Sequence, residues 1–346
     1  MAKSKISKEQ LQQENIEHVK EKRNQIKEKP IKEDIDHVKQ KKYRLEKNNI
    51  IKNKTDGESY KEKRKEEIDQ KNDLKKKERK LNIKSIILRI ILVIAILGLI
   101  LSSYHVIKWL IDTEHTNELI NSIKEETKVN EIEDTNSTII VPQDNKEDPY
   151  WDYIKVKLID VNFNDLIESN KDTVAWIKVN GTNINYPIVQ TDNNTYYLNK
   201  SFDKSPNSAG WVFMDYRNDN KLIDQNTIIY AHGRVEQTMF GSLKKTLTKD
   251  WQKDTDNHII RVSTPYSDTL WQIFSVYKID ETSDYLKTSF KTDKDYEDFL
   301  KLIEDRSTYD FNTSVSKNDR IITLSTCYNR FKRVVVHAKL IKEEIK

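Results

Sequence analysis

One cysteine, Cys327, stands in the 346 residues, inside the stretch Asp319–Leu340, DRIITLSTCYNRFKRVVVHAKL. Ile321 to Leu324 and Val334 to Leu340 are apolar, β-branched runs of strand length, so two strands joined by a short polar connection are expected. Cys327 falls where the first strand runs out, and Arg333 opens the second. A thiol at a strand end beside a fixed guanidinium has the makings of a nucleophile with an anion-stabilising partner. Free cysteine is ordinarily a small buried hydrophobe. Here the flanks Ser325, Thr326, Tyr328 and Asn329 are polar, unlike a core position.

A thiol needs a base or an ion-pair partner to react at neutral pH. Of seven histidines, His18 and His37 lie in a charged N-terminal arm, and His105 and His115 flank an apolar segment. His232 ends the apolar run NTIIYAHG and so stands at a strand-to-loop mouth. His337 is four residues beyond Arg333, about 13 Å along a strand, too far to share its target. His258 opens a strand after the polar loop DTDN, with no evident partner. His232 is the expected base. For the developing oxyanion the donors are Arg330, in the connection, and Arg333, at the strand start opposite the cysteine. The rigidity of a hairpin favours Arg333, with Arg330 as the alternative.

The elements that must position these groups begin near Pro149, where the texture turns aromatic. Phe163 to Asn170 reads as a short helix. In TVAWIKVNGTNINYPIVQ, Ala175, Ile177 and Val179 alternate with Trp176 and Lys178, Gly181-Thr182 marks a turn, and Ile184 to Val189 resumes as strand. Further strands are expected over 210–214, 227–231, 258–262, 270–277, 320–326 and 333–341. Tyr296, Phe299, Leu300 and Ile303 have helical spacing within Thr292–Asp305, capped by Thr292 or Asp293. Many short strands with few helices predict a mostly β domain, a barrel or sandwich of roughly 200 residues.

The first 84 residues carry 27 Lys/Arg and 17 Asp/Glu, against +4 for the whole chain, so the basic character belongs to this arm. Its apolar content is too low to build a core, and it is expected to be disordered or partly helical. A nucleic-acid reading of the charge is therefore excluded. Ser85 to Ile107 is long and apolar enough to cross a bilayer, whose core needs ~20 such residues. Lys75–Lys80, KKKERK, precedes it and Asp112, Glu114 and Glu118 follow, which predicts a cytoplasmic N-terminus and an extracytoplasmic remainder. Residues 108–148 read as a polar stalk, with a glycosylation sequon at Asn136-Ser137-Thr138. Outside a membrane an unpaired thiol is open to oxidation, so the retention of Cys327 argues for use.

TLSTC followed by a basic residue and a VVVHAKL-type strand, with AHG at a strand end upstream, resembles a sortase, and class B is the closest match. Trp176-Ile177, Gly181-Thr182, Tyr186–Gln190 and Tyr196–Leu198 resemble that class's early strands, and the 292–305 helix its signature insertion. The resemblance covers 150–346. It implies an eight-stranded barrel with a few flanking helices, preceded by one transmembrane helix and the charged arm. It also implies a cysteine transpeptidase. The histidines are scattered and the acids fall in surface-like runs, so no metal or cofactor is expected. Cys327 would attack the Thr carbonyl of an NPQTN-like sorting signal to form a thioester. His232 would move the proton, Arg333 would steady the oxyanion, and a peptidoglycan amine would resolve the intermediate. By similarity, Asn194, Leu198, Tyr230 and Ser325 would line the peptide groove. The implied partners are secreted, signal-bearing proteins and a cell-wall amine at the membrane's outer face. The sequence departs from the class pattern in its five-residue connection between Cys327 and Arg333, in Asn329 where an acid often stands, and in Ala231-His232-Gly233. A pilin-polymerising enzyme and a non-catalytic membrane-tethered scaffold are the other readings.

Overall fold

The computed structural model describes residues 39–40, 57–133, 137–140, 150–327 and 331–346. The chain forms two compact units, Met1–Leu97 and Gly98–Lys346. The helix α1, Gly57–Glu126, is built from Lys/Glu-rich helix formers that give way to an apolar run. Its side chains from 63 to 97 are exposed all round. A helix that is apolar on every face and has no protein neighbour is one that lipid would cover. It is the one helix among the described residues long and apolar enough to cross a membrane. Of the expected arm, 1–38 and 41–56 lie outside the described residues, and so does Asn136 of the sequon.

In the second unit α1 changes character. Asp112, Thr116, Ile120 and Ile123 are buried at helical spacing, so α1 runs past Ile107 and packs one face in the region expected as a stalk. The rest of that region's described part contains two short strands: β1, Val129–Ile132, and β2, Thr138–Ile139. The polar character of 108–126 concealed this face because Asp112 and Thr116 are hydrogen-bonded rather than solvated.

Helix α2, Tyr150–Tyr153, and strand β3, Leu158–Val161, follow, and β3 pairs with β1. After the short α3, Asn164–Ser169, come eight strands. They are β4 Thr173–Val179, β5 Asn185–Val189, β6 Phe213–Met214, β7 Asn226–Ala231, β8 Ile259–Ser263, β9 Ser267–Asp280, β10 Ile321–Cys327 and β11 Lys332–Ile345. Their order is β10-β7-β6-β5-β4-β8-β9-β11, and β10 pairs with β11 to close the barrel. Closure removes the free edges that an open sheet would present. The β7–β10 and β5–β6 pairs are parallel and the others antiparallel. The expected strand at 210–214 is shortened to β6 because Gly210 turns the chain at φ +61°.

Trp176, Trp211 and Trp271 fill the barrel core and are fully buried. After the short α4, Lys249–Lys253, the helix α5 spans Asp293–Asp305 between β9 and β10. The Thr292 hydroxyl caps α5 by accepting from the Asp295 N–H at 3.1 Å. The four residues with helical spacing are the buried ones, packed with Phe274, Tyr277 and Val335 in a second cluster.

Candidate active site

The site is assembled at one end of three neighbouring strands. β10 ends at Cys327, whose register partner on β11 is Arg333. On its other side β10 runs parallel to β7, with Thr326 paired to Ala231, the residue before His232. Adjacent strands are ~4.8 Å apart. The cysteine therefore ends the middle strand of three, with arginine opposite on one neighbour and histidine one step past the last pair on the other. Arg330 lies outside the described residues.

A groove of about 600 Å³ opens here. His232, Arg333 and all four expected substrate contacts, Asn194, Leu198, Tyr230 and Ser325, line it. The two other histidines of the barrel do not. His337 is fully buried between the Tyr277 and Thr323 hydroxyls, each 2.9 Å from a ring nitrogen. Burial pushes its pKa down to about 3, helped by Arg306. His258 is held by the Gln252 carbonyl and the Tyr153 hydroxyl, and burial lowers its pKa as well. Both are core histidines.

His232 is half-buried, and its Nε2 lies 2.8 Å from the Leu198 carbonyl oxygen. A carbonyl can only accept, so Nε2–H is the donor, and Nδ1 carries the lone pair of the neutral ring. The Phe240 N–H donates to the His232 carbonyl at 3.0 Å, which pins the backbone as well. Arg333 is 18% exposed at the side chain and donates from Nη2 to Glu281 Oε1 at 2.5 Å.

One wall is organised by Asp215, a residue the sequence reading passed over. Its side chain is fully buried. Arg217 donates to it from Nε and Nη2 at 2.8 and 2.7 Å, and the Tyr230 hydroxyl and Asn194 amide each donate at 2.9 Å. Burial pushes the Asp215 carboxyl up, but Arg217, Tyr230 and Asn194 together outweigh it and hold the group below its ordinary value. Burial, then the Asp215 charge, push the Tyr230 phenol well up, so it remains a neutral donor. The opposite wall is the segment after β9, with Glu281, Thr282, Ser283, Tyr285 and Leu286, also unforeseen. The Tyr285 and Ser325 hydroxyls are 2.9 Å apart across it. A tyrosine in the polar run ETSDYLKT between a strand and a helix was the available signal. Among the described residues no group of three or more His, Cys, Asp or Glu is arranged to hold a metal.

A family model, the sortase domain, matches residues 177–341. Sortase B of Staphylococcus aureus is 39% identical over 184 residues, 52% of this chain and 75% of that protein. A crystal structure of sortase B from B. anthracis in complex with AAEK1 is 32% identical with a TM-score of 0.54, covering 67% of this chain and 99% of that one. A sortase B complexed with triglycine is 38% identical with a TM-score of 0.50, covering 52% and 85%. The barrel, its groove and these likenesses make the chain a member of the sortase family, a sortase B homologue and a cysteine transpeptidase.

Proposed function

We propose that the chain cleaves an NPQTN-like sorting signal after its Thr and passes the acyl group to an amine of the cell wall. Cys327 is the nucleophile and holds the acyl group as a thioester. His232 protonates the leaving amine and later accepts a proton from the incoming one. Arg333 donates to the oxyanion of each tetrahedral intermediate. Asn194, Leu198, Tyr230 and Ser325 bind the peptide. The apolar part of α1, preceded by Lys75–Lys80, anchors the enzyme with its barrel outside the cell.

The observation that carries this reading is the end of β10, where the backbone register sets Cys327 opposite Arg333 on β11 and next to His232 beyond β7, with His232 and Arg333 both lining one groove. The triglycine bound by a related sortase B supports an unhindered primary amine as acceptor.

The test uses the full chain in detergent micelles with a quenched NPQTN-type peptide and triglycine. Mass spectrometry is expected to find an acyl adduct on Cys327, absent in Cys327→Ala. Turnover is expected to collapse in His232→Ala and Arg333→Ala. Failure of every peptide in a sorting-signal panel to acylate Cys327 would overturn the substrate assignment.

A further inference from the structure

Two loops hold the His232 ring, and both lead back to one stretch of α1. The first loop follows the histidine directly. Arg234, 10% exposed at the side chain, donates from Nη2 to Thr113 Oγ1 at 2.9 Å and from Nε to Glu236 at 2.5 Å. Its guanidinium also lies 5.9 Å from the Trp109 ring centroid. The loop has little slack. Gly233 pairs with Met239, and Gln237 and Met239 sit at φ 68° and 51°. A Cβ on Gly241 would stand 2.1 Å from the Arg234 carbonyl oxygen. Displacement of Arg234 would therefore be passed to the backbone that carries His232.

The second loop approaches the ring from its other side. Asn207 Nδ2 donates to the Asp112 carbonyl at 3.1 Å and to Thr116 Oγ1 at 3.0 Å. The Ser208 N–H and hydroxyl both donate to Asp112 Oδ2, at 3.0 and 2.5 Å. Two residues on, the bare Cα of Gly210 lies against the site: a Cβ there would be 2.9 Å from the Leu198 oxygen and 3.0 Å from His232 Cδ2. That oxygen is the one receiving the Nε2–H. The Asn207 bonds are buried and the Ser208 bonds part-buried, and buried polar groups fix geometry because leaving them unpaired is costly.

We propose that Trp109–Thr116 of α1 is a positioning element for His232, acting through Arg234 on one side and through Ser208 to Gly210 on the other. This rests on His232 being the acid–base residue of the proposed function. Asp112, Thr113 and Arg234 touch no substrate; they fix the imidazole's height and rotation. The helix that carries the membrane-length segment is thus also part of the support of the catalytic centre.

The test uses the full chain in detergent micelles, with kcat and KM expressed per Cys327 thiol titrated by a covalent reagent, and thermal unfolding followed in parallel. Arg234→Ala and Asp112→Ala are each expected to lower kcat about tenfold with KM unchanged, the scale on which sub-ångström misplacement of a reacting group acts. Thr113→Val removes one hydroxyl, which accepts from Arg234 and donates to the Trp109 carbonyl within the helix, and keeps the side chain's size, so it reads the same effect, about threefold, if either Ala variant fails to fold. In a His232→Ala background, where residual acylation is followed by mass spectrometry, none of these changes is expected to cost anything further. Unchanged kcat per titrated thiol with a lowered unfolding temperature would make the contacts structural only and overturn the proposal. A loss that persists in the His232→Ala background would overturn it too. A fully active His232→Ala enzyme would instead remove the reading on which the proposal stands.

Discussion

Arg333 reaches the Glu281 carboxylate through Nη2 at 2.5 Å while Glu281 itself is 65% exposed. An ion pair this open contributes ~0–1 kcal/mol to stability. Its consequence lies in orientation: one nitrogen of the guanidinium fork is tied to the rim of the groove. Glu281→Ala is expected to leave the unfolding midpoint in urea almost unmoved and to lower kcat roughly fivefold, against a loss of ~10²–10³ for Arg333→Ala, the usual cost of removing an oxyanion donor, which is its proposed role. Combined, the two substitutions should cost no more than Arg333→Ala alone. Glu281→Ala with wild-type kcat would mean that the guanidinium is aligned without it.

Asp215 ties Tyr230 and Asn194, two groove residues, to Arg217. Asp215→Asn leaves a buried amide where a carboxylate accepted five donations, the Arg217 N–H included, and one partner of a charge pair unmatched. A destabilisation of about 1–3 kcal/mol is expected, together with a KM for peptide raised more than kcat is lowered. Urea unfolding and steady-state kinetics check the two parts separately. A changed kcat at constant KM would show that Asp215 acts on the chemistry instead of the groove wall.

His337 makes acid stability predictable. Its folded pKa is about 3, below the ordinary 6.5, so the unfolded chain takes up the proton first. The contribution is complete above pH 6.5 and is lost as pH falls from 6.5 toward 3, by at most about 1.4 kcal/mol per unit. His258, also lowered by burial, acts in the same direction. Between pH 6.5 and 4.5 unfolding free energy should fall in the wild type and fall less steeply in His337→Gln. Identical slopes would contradict a neutral, buried His337.

Much of this was legible in advance where side-chain period and burial coincide. The spacing of Tyr296 to Ile303 gave α5, and the polar break after Thr326 gave the hairpin that sets Cys327 opposite Arg333; the alternation of Ala175, Ile177 and Val179 gave β4 although Trp176 between them is buried as well. The unread parts follow other rules. Asp112 and Thr116 face protein yet read as solvated, because a satisfied polar group leaves no hydropathy signal. Glu281 and Tyr285 lie on a loop without periodicity and reach the groove only through the closure of the barrel. The strand expected over 210–214 keeps only Phe213–Met214, because the sequence pattern did not show the turn at Gly210.

Gly210 offers a way to disturb His232 without touching a polar group. Its φ of +61° is strained for any residue with a Cβ, and that Cβ would be 2.6 Å from the Tyr197 carbonyl oxygen as well as close to Leu198 and the ring. Gly210→Ala should cost ~1 kcal/mol for the backbone alone and push the Leu198 oxygen off Nε2. Imidazole nitrogen NMR reads this directly. In the wild type the neutral His232 ring is expected to carry its proton on Nε2, since the carbonyl admits only a donor. In Gly210→Ala the neutral ring should divide between its two tautomers, with kcat lowered in step. A ring that kept the Nε2–H form in the variant would show that the carbonyl is not what selects it.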